Sequence, residues 1–318
     1  MENIVLTWGS WFIWSHLLKK IINNNYNVFC LIRKASDLRR IKDVLGMKNF
    51  KLIYCDDIRE IEKVFAENKI GYIVHLATTY KKVHETDDID AMIDTNIRLW
   101  TYLSQFAIKY WVKYFINTWT FFEYRHHQDI ENILSEDSEE SPFNLYASTK
   151  LSFNNILKYY TDNSNLKVIT LRLFSPYWPD DNVKIIPLLI RNIISSWVEE
   201  LKLSGWEQKL SFTYVDDIIN AYLKCLENIE HLWNNYEIFN IWSNDVYSLK
   251  EIYEYLCEIS GRKWNVIFWA LPYLPNEIFY SKCDNSRSKK LLGWEPRVSI
   301  KDGLSLTYNS YSNDFWKN

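Results

Sequence analysis

Thr7-Trp8-Gly9-Ser10-Trp11-Phe12-Ile13-Trp14-Ser15-His16 decides how the rest of the chain is read. It follows the apolar run Ile4-Val5-Leu6 and leads into a helix-like stretch, about Phe12 to Ile22, with Leu17, Leu18 and Ile21 on one face. A strand, a tight turn and a helix start form the setting in which backbone amides receive a dinucleotide's pyrophosphate. Such a turn uses glycine three times: for the bend, for close approach of backbone to phosphate, and for packing helix on strand. Gly9 is the one glycine here. If Trp8, Trp11 and Trp14 are read as glycine, the segment becomes that fingerprint at the correct spacing.

Composition points the same way. Glycine is 7 of 318 residues, about 2% against a usual value near 7%, and tryptophan is 15. Together they come to about the proportion that glycine alone should supply. A gene whose UGA codons mean glycine, translated with UGA as tryptophan, yields this pattern. The expectation is TGA at positions 8, 11 and 14, and ordinary codons at Gly9 and Trp294. With indoles in the turn, the chain as written is expected to bind a dinucleotide badly or not at all.

Outward from the turn, strand and helix patterns alternate. Strands are expected at Val28–Ile32, Lys51–Cys55, Tyr72–Leu76, Tyr114–Thr118 and Val168–Leu173. Helices are expected at Asp37–Leu45, Ile61–Asn68, Ile89–Tyr110 and Leu145–Tyr160. Repeated βα units imply an α/β fold, a doubly wound parallel sheet of Rossmann type. After Pro176 the pattern loosens. Residues 1–175 read as the dinucleotide-binding domain, with about 212–245 returning to it. Residues 176–211 and 246–318 read as a smaller substrate lobe. The length suits about two domains or one large α/β unit.

Charge and composition exclude several partners. A net charge of −3 leaves no basic excess for phosphate backbones, so nucleic acid is not expected. No apolar stretch approaches the roughly 20 residues that span a bilayer. The chain enters its first strand with no leader pattern, which reads as cytoplasmic. Five scattered cysteines suggest a reducing compartment, and neither they nor His126-His127 show the spacing of a metal site.

Tyr146-Ala147-Ser148-Thr149-Lys150 places a phenol and an ammonium four residues apart on one helix face. A tyrosine is a poor acid–base group until a nearby cation stabilises its anion. On its own the pattern is common; after five βα strands and a phosphate turn it is specific. With these residues in hand, the chain resembles the extended short-chain dehydrogenase/reductases of the nucleotide-sugar epimerase/dehydratase family over nearly its full length. Trp100, Trp178, Trp206 and Trp242 also fall at glycine positions of that family, whereas Trp294 matches a tryptophan.

The resemblance implies roles for particular residues. Thr118, Tyr146 and Lys150 would be catalytic, with Thr118 bonded to the reacting oxygen. The cofactor would lie along Trp8, Gly9, Ser10, Trp11, Phe12, Ile13, Trp14, Asp57, Ile58, Leu76, Ala77, Asn96 and Pro176, as well as Tyr146 and Lys150. The substrate would meet Thr79, Thr118, Ser175 (where relatives carry asparagine) and Lys209 (in place of an arginine expected at Leu210). Ile32 holds the place where NAD enzymes keep an acid for the ribose, and Arg33 with Lys34 follows. Two cations there suit a 2′-phosphate, so NADP(H) is favoured over NAD(H). Dehydratases carry an Asp-Glu pair after the threonine; Trp119-Thr120 stands there, so dehydration is disfavoured. The expected activity is NADP(H)-dependent reduction of a 4-keto nucleotide-sugar for polysaccharide, with Tyr146 as proton donor. The alternatives are an NAD-dependent 4-epimerase and, in another class, a non-catalytic NADP sensor or scaffold. Relatives also suggest a homodimer through the long helices.

Overall fold

The computed structural model describes residues 1–10, 12–126, 133–179, 184–195, 200–262, 266–273 and 277–315, with backbone alone for 12, 195 and 313–315. Seven strands form one sheet: β1 (Asn3–Thr7), β2 (Asn27–Ile32), β3 (Phe50–Tyr54), β4 (Tyr72–His75), β5 (Tyr114–Thr120), β6 (Lys167–Leu173) and, in this sheet's chain order, the later strand Tyr236–Ile241. Every pairing is parallel, and the last strand lies beside β6, then β5, β4, β1, β2 and β3. The spatial order reverses direction between β4 and β1. In doubly wound sheets that switch point, at the carboxyl ends of the strands, is where ligands sit.

Helices cover both faces. One face carries α1 (Phe12–Asn23) and the later helices; the other carries α2 (Ile58–Glu67), α3 (Ile89–Ile93), α4 (Leu99–Lys109) and α5 (Leu145–Asp162). The strands β1, β2, β4 and β6 are almost entirely buried, as a sheet covered on both faces demands. Alternation sets the faces of β5: Ile116 joins the core under α1, and Phe115 joins the core under α4 and α5.

Beyond β6 come β7 (Pro176–Tyr177), α6 (Ile185–Ser195), β8 (Leu201–Lys202), β9 (Lys209–Leu210), β10 (Thr213–Tyr214) and α7 (Val215–Asn228). Then follow β11 (Tyr236–Ile241, the sheet strand above), β12 (Tyr247–Ser248), α8 (Leu249–Ser260), β13 (Val266–Ile267), α9 (Ser286–Leu292) and α10 (Ile300–Phe315). The short strands pair as β7 with β10, β9 with β12, and β8 with β13. One apolar core runs unbroken from β1 and α1 through α6, α7 and α8 to Leu304 of α10. The C-terminal tail is tied to α7 by Asp217, whose carboxylate accepts from the backbone amides of Arg297 (2.9 Å) and Val298 (3.0 Å).

Two local expectations are corrected. Asp37–Leu45 is not an α-helix; it holds a single 3₁₀ turn, Arg39–Ile41. Asp37 bonds the Arg39 amide and its guanidinium, a local turn that competes with helix. The stretch from Ile89 to Tyr110 is helical but changes pitch: Asp94–Arg98 is π-helix between α3 and α4. That widened turn holds the buried Thr95 and Asn96. All five cysteines are unpaired; Cys30, Cys225 and Cys283 are buried, while Cys55 and Cys257 are partly exposed. No described helix is long and apolar enough to cross a membrane.

Candidate active site

The carboxyl ends of β1, β4 and β5 meet through one hydroxyl. Thr7 closes β1, and its Oγ1 accepts from the amides of Leu76 and Ala77, both at 2.9 Å. The same oxygen lies 3.0 Å from Nδ1 of His75. His75 is wholly buried, and burial, reinforced by Lys150, holds its pKa well below the ordinary value, so it stays neutral. Leu76 and Ala77 are thus held at the strand end through their backbone amides.

Asn96 has every hydrogen-bonding position filled. Its Oδ1 accepts from the Thr79 amide (2.8 Å) and the Thr78 hydroxyl (3.1 Å); its Nδ2 donates to Thr79 O and Thr149 Oγ1, both at 3.0 Å. The asparagine therefore clips the loop after β4, with Thr79, onto α5.

On α5, Asn144 caps the helix by accepting from the Ala147 amide at 2.9 Å, which sets the rotation that buries Tyr146 and Lys150. Burial, with Tyr80 and Glu123 adding to it, raises the Tyr146 phenol well above its ordinary value; the Thr78 hydroxyl bonded to it works the other way. The Tyr80 ring stands edge-on at 4.8 Å. Lys150 donates from Nζ to the carbonyl of Thr118 at 3.1 Å. Burial pushes its ammonium down to about 7, opposed by Glu123. The Trp100 ring lies 4.1 Å from that nitrogen.

Thr118 is held at both ends. Its carbonyl receives Lys150, and its hydroxyl donates to His75 O at 2.7 Å. The Tyr222 hydroxyl of α7 lies 2.5 Å from Thr118 Oγ1. A hydroxyl has one proton, and that of Thr118 is committed to a carbonyl, so Tyr222 is the donor. The Thr118 side chain follows the alternation of β5 toward α7, whereas Tyr146 bonds Thr78. Tyr222 and Thr78 were not singled out as site residues from the sequence. Tyr222 is 104 residues from its partner, and only the fold brings them together.

Glu123 is the first acid after Thr118. It is completely buried, and its Oε2 lies 3.5 Å from Nε of Arg172, also completely buried. Burial outweighs that cation and raises its carboxyl to about 8. The Asp-Glu positions of a dehydratase are occupied by Trp119 and Thr120, both buried in β5.

At the first turn, the Trp8 amide donates to Leu31 O at 2.7 Å, and Trp8 has φ +53°. A Cβ on Gly9 would come within 2.8 Å of both Cys30 Sγ and Leu6 Cδ2, so this glycine is required by packing. Ser10 is buried; Ile13 and Trp14 are in the core; Trp11 lies outside the described residues, and only the backbone of Phe12 is described. The described part of the turn carries indoles at two of the three positions where the fingerprint has glycine. An indole projects from the bend at Trp8, and another sits at Trp14, edge-on to Tyr222 at 5.7 Å.

Other expected residues are placed as follows. The Arg33 guanidinium lies 4.5 Å over the Trp8 ring and donates to Thr95 Oγ1 at 3.0 Å, while Lys34 bonds Asp56 through its amide. Asp57 caps α2 and pairs with Arg59, which holds its carboxyl down at about 2; Ile58 is the first residue of that helix. Pro176 begins β7, its carbonyl accepting from Lys184 Nζ at 2.8 Å. Ser175 before it has φ +30°. Lys209 is exposed on β9, fixed through backbone bonds to Phe279 and Ser281.

A seven-stranded parallel sheet with a phosphate-type turn after β1 and a Tyr-x-x-x-Lys helix beside β5 defines an NAD(P)-dependent enzyme of the extended short-chain dehydrogenase/reductase type. Residues 4–241 match the NAD dependent epimerase/dehydratase family, and the chain belongs to it. It is 28% identical over 307 residues to the CDP-abequose synthase of Salmonella typhimurium, covering 95% of this chain and 96% of that protein. Among solved structures, the UDP-glucose 4-epimerase of Thermotoga maritima with UDP-glucose superposes with a TM-score of 0.87 at 25% identity, covering 98% and 99% of the two chains. The UDP-glucuronic acid 4-epimerase of Bacillus cereus, in complex with UDP-glucuronic acid and NAD, gives 0.85 at 25% with the same coverage.

Proposed function

We propose that this protein reduces a 4-keto nucleotide-sugar to a deoxysugar product with NADP(H), Tyr146 giving the proton to the new hydroxyl. The observation that carries this reading is the combination around β5. Tyr146 and Lys150 are buried together on α5, Lys150 grips the Thr118 carbonyl, and no carboxyl follows Thr118 until Glu123, which is turned into Arg172. Without an acid–base pair beside Thr118, loss of water from the sugar lacks its catalyst; proton exchange at one oxygen does not. The phenol is neutral in this structure, the form that donates. The likeness to CDP-abequose synthase over almost the whole of both chains supports a deoxysugar substrate. Arg33 and Lys34 at the end of β2 support a phosphorylated ribose.

The second reading, a redox-neutral 4-epimerase, is favoured by the likeness to the two epimerase structures. The test takes protein decoded with glycine at the first turn and supplies NADPH with 4-keto-6-deoxy sugars carried on CDP or dTDP. Reduction consumes NADPH in step with product, whereas epimerisation interconverts sugars with no net consumption. Tyr146→Phe should cut turnover at least a hundredfold; full activity in that variant refutes the role given to it. The exposed Tyr102 and Tyr159 of α4 and α5 mark the face on which we place the homodimer contact.

A further inference from the structure

The tryptophans differ in how backbone and surroundings receive them. Among the described residues, seven positions other than glycine have φ in the left-handed region. Asn25, Asn244 and Ser175 are three; the others are Trp8 (+53°), Trp111 (+59°), Trp206 (+55°) and Trp269 (+64°). Asparagine tolerates that region through local hydrogen bonding, but a bulky side chain does not, and glycine is its ordinary occupant. Trp111 shows the mismatch most plainly. It ends α4, with the Val112 amide on Ala107 O (2.8 Å) and its own amide on Ile108 O (3.3 Å), the two bonds of a Schellman closure. At the ends of α8 and α9, the matching left-handed residues are Gly261 (+65°) and Gly293 (+64°). The Trp111 side chain is 87% exposed, so packing does not account for an indole there.

Burial gives a second, independent mark. Trp100, Trp119 and Trp242 bury their indole N–H groups with no hydrogen-bond partner, although buried tryptophans normally find one. The Trp100 and His75 ring centroids are 3.2 Å apart, inside the spacing at which rings pack. Trp294 differs: it is fully buried and donates to Asp217 O at 2.9 Å.

We infer that the functional protein carries glycine at Trp8, Trp111, Trp206 and Trp269, and at Trp100, Trp119 and Trp242, whereas Trp294 is a tryptophan. The misfit at the bend itself is then relieved, because position 8 already has a glycine's backbone. Trp111 and Trp269 extend the pattern to positions that neither the fingerprint nor the family resemblance names. The inference stands on backbone and burial, apart from the reductase reading.

The experiment reads the codons and one pair of variants, and neither needs activity. The gene should show TGA at these seven positions and TGG at 294, and protein isolated from its own cells should have the lower mass of the glycine form. In the chain as written, Trp111→Gly should melt about 2 °C above Trp111→Ala, the reverse of the usual order, since only glycine relaxes at this φ. Tryptophan codons at those positions, or an alanine variant that melts as high as the glycine one, overturns the inference. Loss of the reductase reading would leave both measurements unaffected.

Discussion

Replacing Lys150 by methionine should remove turnover and yet make the protein more stable near neutral pH. In the unfolded chain this ammonium has its ordinary pKa of 10.5; in the fold, burial brings it to about 7. Between those values the unfolded state holds the extra proton, so the lysine's penalty falls as pH rises from 7 to 10.5. Below 7 both states are protonated and the penalty is full, about 5 kcal/mol; above 10.5 it is gone. Losing the Nζ bond to Thr118 O takes back about 2 kcal/mol. The remainder, about 3 kcal/mol, corresponds to roughly 5 °C in melting temperature for a chain of this size. Calorimetric scans of parent and Lys150→Met at pH 6, 8 and 10 would show the variant ahead at pH 6, less so at pH 8, and slightly behind at pH 10, where the lost bond outweighs the remaining penalty. A variant that melts below the parent at pH 6, or a gap independent of pH, refutes the reasoning.

Other expected outcomes test neighbouring contacts, the kinetic ones in protein decoded with glycine at the first turn. Tyr222→Phe takes away the donor on Thr118 Oγ1, and kcat should fall about tenfold at unchanged KM; in a Thr118→Val background the same change should have no further effect, which a double-mutant cycle measures. Asn96→Ala releases the loop bearing Thr78 and Thr79, and should cost about 2 kcal/mol in denaturant titration while raising KM. Asp217→Ala strands the amides of Arg297 and Val298 and should destabilise by about 3 kcal/mol by the same titration.

Six of the seven sheet strands were legible in the sequence because most are buried on both sides and lead into a helix-length segment, whereas the edge strand β11 was not singled out. That signal is local and survives even tryptophans at the turns. The same locality explains what was missed. Asp37–Leu45 has helical residues, but Asp37 closes on Arg39 first. The π turn at Asp94–Arg98 leaves no mark in spacing. Asp57 stands where the family resemblance implies an adenine contact, and the fold spends its carboxylate on the α2 cap and Arg59. Tyr146 and Lys150 could be found because their four-residue spacing is itself geometry. Asn96 was named for the cofactor, but its four bonds inside the protein appear only once the loop after β4 meets α5. Tyr222 lies on a helix from another part of the chain, and only sheet order places it beside β5.

The unpaired thiols supply a built-in set of labels. Cys30 lies in β2, Cys225 in α7 and Cys283 in the segment before α9, and burial raises all three far from ionisation. An alkylating reagent attacks the thiolate and needs access, so in the native protein these sulfurs stay silent until their own region opens. Timed alkylation followed by peptide mapping would therefore report, without an introduced dye, whether the sheet, α7 and the segment before α9 breathe separately or part together.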